Sequence, residues 1–141
     1  MKEAYITIRD RHFSQNEDND DYGELRTKCQ IGVDGDSIVI RYHETLEATD
    51  DCDTCLMINN DRITMMRNGK FRTGMIFEQG KRHVSCYETP FGEVMIGIYT
   101  NAVFIDFDEN GGYLDFAYTI DSNGDLISEN ELKITVEIKE D

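Results

Sequence analysis

The sequence predicts an all-β protein, a single antiparallel meander β-barrel of about ten strands with little or no helix. Three observations predict it. Apolar and polar residues alternate in runs of roughly six to ten residues, the period-two pattern of half-buried strands. Turn signals rich in Gly, Asn and Asp separate these runs. No stretch repeats apolar residues at helical spacing over a convincing length.

Taken in chain order, the alternating runs define the individual strands of the predicted barrel. The candidate strands are Glu3–Phe13, Glu24–Val33, Asp36–Glu44, Cys55–Asn59, Arg62–Arg67, Lys70–Phe77, Lys81–Thr89, Glu93–Tyr99, Ala102–Glu109, Gly112–Asp121 and Asp125–Ile138. We expect two irregular segments, the acidic loop Ser14–Gly23 and the stretch Glu44–Thr54. The chain length of 141 residues fits one domain, 1–141, with one sizeable core.

The turns between the strands predict which residues face each other. Two-residue or three-residue turns are predicted at Asp34-Gly35, Asn60-Asp61, Asn68-Gly69, Glu78-Gln79-Gly80, Pro90-Phe91-Gly92, Thr100-Asn101 and Asn110-Gly111. Because opposed residues share a face, counting outward from each turn collects one apolar, inward set. This set is Leu56, Ile58, Ile63, Met65, Ile76, Val84, Cys86, Val94, Ile96, Ile98, Val103, Ile105, Phe107, Leu114, Phe116, Tyr118 and Ile120. Consecutive hairpins with one buried face favour a barrel over a sandwich.

A few polar residues share the inward positions and suggest a ligand site. The predicted register points Arg72 and Arg82 into the lumen, together with Tyr42, Glu44 and Tyr118. A buried charge is costly unless it is paired, and an arginine can hold a carboxylate or phosphate through a forked contact. We therefore predict that these five residues bind a small amphipathic or anionic molecule. The alternatives are an internal ion pair with Glu44, or arginines that reach solvent at the barrel rim.

The opposite, outward face predicts a rival function. Phe77, His83, Ser85, Tyr87 and Tyr99 form a half-buried outer patch in this register. Such a patch suits an interaction module or a homodimer whose barrel is filled by side chains. A hydrolase is not favoured, because nothing supplies a third catalytic member or a nucleophile elbow. No catalytic residue is predicted.

The cysteines predict neither a metal site nor a cofactor. Cys52-x-x-Cys55 is half of a zinc ribbon or a redox pair, but structural zinc needs four ligands. The register places Cys29 and Cys86 inward, as core thiols. The aspartates beside the motif disfavour the thiolate that redox chemistry requires. We expect an inert segment.

One acidic motif resembles the opening of a calcium-binding loop. Asp106-x-Asp108-x-Asn110-Gly111 has oxygen ligands at the first, third and fifth positions. The twelfth position, which closes such a loop with an acid, is Ala117, which cannot bind the ion. The motif therefore favours an ordinary Asn-Gly hairpin.

Charge and the first residues of the sequence limit the partners and the compartment. The 29 acidic and 14 basic residues give a formal charge of −15. This charge repels phosphate backbones and anionic lipid, so we predict no nucleic-acid or membrane partner. Solubility explains the charge, and a basic protein partner is the alternative. Met1–Arg9 lacks the apolar region of a signal peptide, so we expect a cytoplasmic protein whose cysteines are thiols.

One tract of spaced polar and aromatic residues resembles a known family. The run from Met75 to Gly92, MIFEQGKRHVSCYETPFG, is similar to the YwiB-like bacterial proteins of unknown function. The Gly-Ile-Tyr-Thr segment at 97–100, Gly111-Gly112 and Tyr42-x-Glu44 fit as well, and the similarity runs from about Leu25 to Glu137. The resemblance implies a lipocalin-like, calycin-type barrel in the bacterial cytoplasm and no known activity. The high acidity and the Cys52–Cys55 motif depart from the family's pattern.

Overall fold

Ten β-strands make up the part of the chain that the computed structural model describes, which is residues 1–14, 21–46, 50–69 and 72–139. They are β1 (Lys2–Ser14), β2 (Asp21–Asp34), β3 (Ser37–Leu46), β4 (Asp50–Asn59), β5 (Arg62–Asn68), β6 (Arg72–Glu78), β7 (Arg82–Thr89), β8 (Gly92–Asp108), β9 (Gly111–Ser122) and β10 (Asp125–Ile138). Within those ranges, no helix is long and apolar enough to cross a membrane.

The strands form one closed barrel. Each strand lies beside its neighbours in the chain, and β1 closes the barrel by pairing with β10. Every strand pair is antiparallel. The predicted all-β meander barrel is therefore confirmed.

Two predicted strands are one strand in the structure. β8 runs from Gly92 to Asp108, so the turn predicted at Thr100-Asn101 is wrong. A β-bulge lies there instead, because the register with β9 shifts between Thr100 and Ala102. The bulge restores the inward set beyond it, since one extra residue reverses the alternation of side chains.

The loop between β6 and β7 packs against this bulge. The Gly80 N–H donates to the Thr100 carbonyl oxygen at 2.8 Å, and the Thr100 N–H donates to that of Lys81 at 3.3 Å. The Gln79 Oε1 accepts a hydrogen bond from the Val103 N–H at 3.1 Å. These bonds satisfy backbone groups that the bulge removes from the β8–β9 ladder.

The register of β6 differs from the prediction. Asn68 pairs with Arg72, so three residues separate β5 and β6, where the sequence predicted the two-residue turn Asn68-Gly69. One additional residue turns every side chain of the strand to the other face. Met75 and Phe77 are therefore buried, at 7% and 0% exposure. Ile76, predicted inward, points outward.

The side chains of β7, like those of β6, point to the opposite faces from those predicted. Thr73 lies opposite Tyr87, which keeps the two strands in phase, so Val84 and Cys86 point outward instead of inward. Thr89 pairs with Gly92 across a two-residue turn, where the sequence predicted a three-residue turn. This second difference of one residue cancels the first, so the side chains of β8 point to the predicted faces. The Thr89 Oγ1 closes that turn by donating to the Gly92 carbonyl oxygen and accepting the Phe91 N–H.

A cluster of buried apolar side chains lies in the lumen of the barrel. Beyond β7 its members include Ile96, Ile98, Leu114 and Phe116, as the sequence predicted. The Phe77 ring lies 4.6 Å from that of Phe116, although β6 and β9 are not neighbours in the sheet. These rings therefore meet across the lumen.

Gly111 and Gly112 are required by close backbone approach. Both residues have positive φ angles, 113° and 151°. A Cβ at position 112 would lie 2.7 Å from the Phe107 Cα, and one at position 111 would contact the Val136 carbonyl oxygen. Only glycine fits both demands, which explains the Gly-Gly pair physically.

The described residues of the two segments predicted to be irregular belong to strands. β1 extends to Ser14 and β2 begins at Asp21, and residues 15–20 of the predicted Ser14–Gly23 loop lie outside the described residues. In the second segment, β3 continues to Leu46 and β4 begins at Asp50, with 47–49 outside the described residues. The prediction of irregular structure at Cys52–Thr54 is therefore wrong, and the strand predicted from Cys55 begins earlier, at Asp50.

Candidate functional site

A row of inward residues crosses five strands at one level of the barrel. Tyr42 lies opposite Thr54, Thr54 opposite Arg67, Arg67 opposite Thr73, and Thr73 opposite Tyr87. Residues opposed in this way have Cβ atoms roughly 4.5–5.5 Å apart. The row therefore gathers two tyrosines, two threonines and one arginine into a continuous polar band, and Tyr42 is the member that the sequence predicted.

The arginine of this row forms an ion pair inside the barrel. The Arg67 Nη2 donates to the Glu44 Oε2 at 2.9 Å, and their side chains are 31% and 11% exposed. Burial disfavours the guanidinium charge, but Glu44 and Cys52 outweigh that effect and hold the pKa of Arg67 above its usual value. An internal ion pair with Glu44 was the alternative considered for Arg72 and Arg82, but the arginine that forms it is Arg67.

Two polar atoms in the row have no hydrogen-bond partner among the residues that the structure describes. They are the Arg67 Nε and the Thr73 Oγ1, and both atoms are buried. They belong to residues that face each other directly across β5 and β6. Leaving a buried donor unsatisfied costs about 1–3 kcal/mol, so this pair of atoms marks a place where a ligand oxygen would be stabilised.

The tyrosines of the site lie beside charged groups. Burial raises the pKa of Tyr42 above its usual value, and the Glu44 carboxylate adds to the shift. Burial also raises the pKa of Tyr118 to about 12, with contributions from Tyr87 and Asp10. Both hydroxyls therefore stay protonated and can donate hydrogen bonds at neutral pH.

Aromatic rings form the floor of the polar region. The Tyr118 ring lies 4.7 Å from that of Phe77 and 5.9 Å from that of Phe116. Tyr118 is inward, as predicted, and it also faces Asn130 across β9 and β10. The pKa of Tyr118 depends on Tyr87 and Arg67, so its side chain lies near the polar row as well as the aromatic rings.

Further polar groups lie on the β10 side of the same end. Asn130 contacts His12 through the Oδ1 and Nδ1 atoms, and its Nδ2 donates to the Ser128 Oγ at 3.1 Å. Asn130 and Ser128 are buried at 7% and 2% exposure. The Asn130 amide thus has hydrogen-bond partners within the protein, and we assign it to the wall of the lumen.

The structure corrects the two arginines predicted to line the lumen. Arg72 is exposed at the start of β6 and Arg82 is exposed at the start of β7, because both strands are reversed relative to the prediction. The Arg82 Nε and Nη2 donate to both carboxylate oxygens of Asp121 at 3.0 and 2.6 Å on the outer face. This pairing lowers the pKa of Asp121 and raises that of Arg82.

The predicted outer patch is also corrected. Phe77, His83, Ser85 and Tyr87 occupy inward positions, and of the five only Tyr99 faces outward, at 39% exposure. The His83 Nε2 contacts the Glu78 Oε1 at 3.1 Å, beside Lys81. These two neighbours lower the pKa of Glu78 to about 2.

The cysteine motif cannot chelate one ion or form a disulfide in this strand. Cys52 is inward and 7% exposed, whereas Cys55 lies on the outer face, because residues three apart in a strand point to opposite sides. Their Cα atoms are roughly 10 Å apart at strand spacing, beyond the 7 Å limit for a disulfide. No cluster of three or more potential metal ligands occurs in the described ranges. Cys86, predicted to be a core thiol, is exposed.

A cavity of about 600 Å³ lies on the outer face of β2–β4. Residues 28–30, 41–43 and 53–55 line it, and the outward side chains among them include Lys28, Arg41 and Cys55. Arg41 and Cys55 are directly opposed in the register. The sequence does not predict this cavity, because it predicts irregular structure for Asp50–Thr54, the first half of β4.

The outer face of β5–β8 carries an uncharged strip. It consists of Met66, Ile76, Val84, Cys86 and Met95, which occupy neighbouring register positions. Val84 and Met95 are each 55% exposed and Met66 is 48% exposed. The strip replaces the predicted outer patch on the same side of the barrel.

One signal in the sequence could have identified Arg67. Ile63 and Met65 were assigned inward, and Arg67 follows them at the same parity on β5. Thr73 could not have been placed correctly, because its strand was out of register by an odd number of residues. The arrangement can hold an oxygen-rich group by hydrogen bonding.

Together, these features define a closed ten-stranded antiparallel barrel with an apolar core and a polar end. The chain belongs to the family described as "Domain of unknown function (DUF1934)", which matches residues 6–134. It is 22% identical over 136 residues to the uncharacterized beta-barrel protein YwiB of Bacillus subtilis (strain 168), covering 96% of this chain and 95% of that protein.

A solved structure shares the fold. The crystal structure of the ywiB protein from Bacillus subtilis matches with a TM-score of 0.81 at 21% identity, covering 99% of this chain and 95% of that one. The resemblance inferred from Met75–Gly92 is thereby confirmed, and the lipocalin-like assignment stays a prediction. The family's function is unknown, so it contributes no functional residues.

Proposed function

We propose that the barrel binds a small molecule bearing a carboxylate or phosphate at the polar end of its lumen. The observation that carries this proposal is the pair of unpartnered buried atoms, the Arg67 Nε and the Thr73 Oγ1. Glu44 engages the Nη2 of Arg67, so the Nε–H remains free to donate. A ligand oxygen placed between the two residues would accept from both.

The surroundings favour an anionic acceptor of modest size. Hydrogen bonds from a guanidinium to an ionised oxygen are roughly twice as strong as neutral ones. Arg67 is 31% exposed, so the site is reached from solvent. Tyr42 and Tyr118 supply further donors and aromatic surface.

The aromatic floor limits how an amphipathic ligand can bind. The rings of Phe77, Phe116 and Tyr118 contact one another across the lumen, at centroid distances of 4.6 to 5.9 Å. A long acyl chain therefore cannot thread past them. The apolar part of the ligand would rest on the Tyr118 and Phe77 rings, as a short or aromatic group does.

Isothermal titration calorimetry with benzoate, succinate, octanoate and inorganic phosphate tests the proposal. Thr73→Val is the sharpest variant, because the hydroxyl makes no hydrogen bond to the described residues of the free protein. We expect it to leave stability unchanged or slightly raised, yet to weaken binding about five- to tenfold, the equivalent of one hydrogen bond. Arg72→Gln is the matched control and should bind as the parent does.

Two results contradict the lumen site. One is the absence of binding for all four probes at millimolar concentration. The other is binding that Thr73→Val and Arg67→Met leave unchanged while the proteins remain folded by circular dichroism. Equal losses in Arg72→Gln would also overturn it, because that side chain lies on the exposed face.

A second candidate function is self-association through the uncharged strip Met66, Ile76, Val84, Cys86 and Met95. Charged residues form 30% of the chain, and each copy carries −15, so two copies can approach most easily where neither presents charge. Sedimentation velocity over roughly 1–100 μM, a concentration range in which weak dimers dissociate, should show a dimer that Val84→Glu disrupts. A monomer throughout that range removes this candidate.

A further inference from the structure

The cavity on the outer face of β2–β4 combines positive charge with a thiol. Its charged lining residues are Glu3, Lys28, Arg41, Asp53 and Lys139, together with His43. The volume of about 600 Å³ is that of a small-molecule site. It lies on the outer face of the sheet; Tyr42 and Thr54 also line it, although their side chains face the lumen.

Both acids of the cavity are already engaged. The Glu3 carboxylate lies 3.7 Å from the Lys139 Nζ, and the Asp53 Oδ1 lies 2.7 Å from the His43 Nδ1. Lys28 and Arg41, by contrast, form no ion pair with any residue in the described ranges. The cavity therefore carries three cations, Lys28, Arg41 and Lys139, against two carboxylates, in a protein whose net charge is −15.

The two outward cysteines have opposite surroundings. Cys55 is half-buried in the cavity wall and lies directly opposite Arg41. Cys86 is exposed, and desolvation of its thiol together with the carboxylates of Glu93 and Glu88 raises its pKa. Cys29 and Cys52 are buried on the inward face, at 5% and 7% exposure. Cys86, an outward thiol beside acidic residues, is therefore a control for the effect of positive charge on Cys55.

We propose that this cavity is an anion-binding site, in which Lys28 and Arg41 hold a small carboxylate- or phosphate-bearing molecule against the Cys55 thiol. Gln30 and Asn68 line the same space and add neutral hydrogen-bond donors. An excess of positive charge in a cleft raises the local concentration of anionic ligands and speeds their association, by about 10- to 1,000-fold where the whole lining has one sign. An anionic reagent should therefore reach Cys55 faster than Cys86.

Disulfide exchange at Cys55 reports directly on this site. Cys55 loses its proton to the buffer, and the thiolate attacks one sulfur of a small disulfide. A bond forms between Cys55 and that sulfur, the original S–S bond breaks, and the second half leaves as a thiolate. The probes are the dianionic 5,5′-dithiobis(2-nitrobenzoate) and the uncharged 2,2′-dithiodipyridine, and the released thiolate is measured by absorbance.

The comparison uses two variants. Cys86→Ser leaves Cys55 as the only outward cysteine, and Cys55→Ser leaves Cys86 as the only outward cysteine. The ratio of the anionic to the uncharged rate should be at least about tenfold higher for Cys55 and should fall as salt is added. Replacing Lys28→Gln and Arg41→Gln together should bring the two ratios within about twofold. Arg26→Gln, on the same face of β2 but stacked on Tyr5, should leave the ratio unchanged.

Competition separates the two anion chemistries. Succinate or inorganic phosphate should slow the anionic probe at Cys55 in a saturable way, and the stronger competitor identifies the preferred group. Equal ratios for the two thiols overturn the proposal, as does a ratio that survives Lys28→Gln and Arg41→Gln in a folded protein. Failure of both competitors to slow the reaction overturns it as well.

Discussion

Phe77→Ala tests whether β6 faces the way the structure shows. Phe77 is fully buried and its ring contacts those of Phe116 and Tyr118, at 4.6 and 4.7 Å. Truncating a buried phenylalanine to alanine costs about 3–5 kcal/mol, from lost transfer energy and the cavity left behind. The aromatic contacts place this site at the upper part of that range, since each is worth about 0.5–1.5 kcal/mol beyond burial.

Val84→Ala is the control on the adjoining strand. Val84 is 55% exposed on the outer face, so we expect a loss below about 1 kcal/mol. Urea unfolding followed by circular dichroism measures both variants, and equal m-values would show that the unfolding transition is the same. For a chain of this size, the Phe77→Ala loss corresponds to a fall in Tm of roughly 10–20 °C.

The opposite order of the two variants would refute the register. If Val84→Ala costs more than Phe77→Ala, then β6 and β7 face the way the turn count predicted. Arg72 and Arg82 would then return to the lumen, and the polar row centred on Arg67 and Thr73 would not exist.

Four further predictions follow from individual residues. Because the pKa of Glu78 is lowered to about 2 from the usual 4.5, its carboxylate stabilises the fold above pH 4.5. This contribution is lost as the pH falls from 4.5 towards 2. The difference in urea midpoint between the parent and Glu78→Gln should therefore shrink over that interval. Because the pKa of Tyr118 is raised to about 12 from the usual 10, its contribution to stability is complete below pH 10 and is lost as the pH rises to 12. Tyr118→Phe should therefore show a flatter profile of urea midpoint against pH over that interval. Gly112→Ala should cost at least about 1–3 kcal/mol, because its φ and its close backbone contact exclude a side chain. Gly74→Ala, with open space around the new methyl group, should be neutral or stabilising by calorimetry, and a large loss there would show that the contact geometry is wrong.

The fold could be predicted from the sequence because alternation and turn residues are local signals. Asn60-Asp61 forms the predicted turn, with Asn59 paired with Arg62. At Asp34-Gly35 the turn was misplaced by one residue, since Asp34 pairs with Ser37. An error of this kind changes the register by two and keeps every face correct.

The faces of β6 and β7 could not be predicted in the same way. Both sides of β6 carry apolar residues, Met75 and Phe77 on one and Ile76 on the other, so hydrophobicity did not reveal an odd register error. The choice depends on ring packing across the lumen between Phe77 and Phe116, which are distant in sequence. The same error affected the predicted site, because two of its five residues, Arg72 and Arg82, lie on these two strands.

The most direct test of the central claim is an NMR titration of the ¹⁵N-labelled protein with benzoate and inorganic phosphate. We expect saturable shifts at the amides of Arg67, Thr73 and Tyr118, which lie at the polar end of the lumen. Thr73→Val should reduce these shifts at equal ligand concentration. Shifts that are absent from this region, or that Thr73→Val leaves unchanged, would contradict a ligand site inside the barrel.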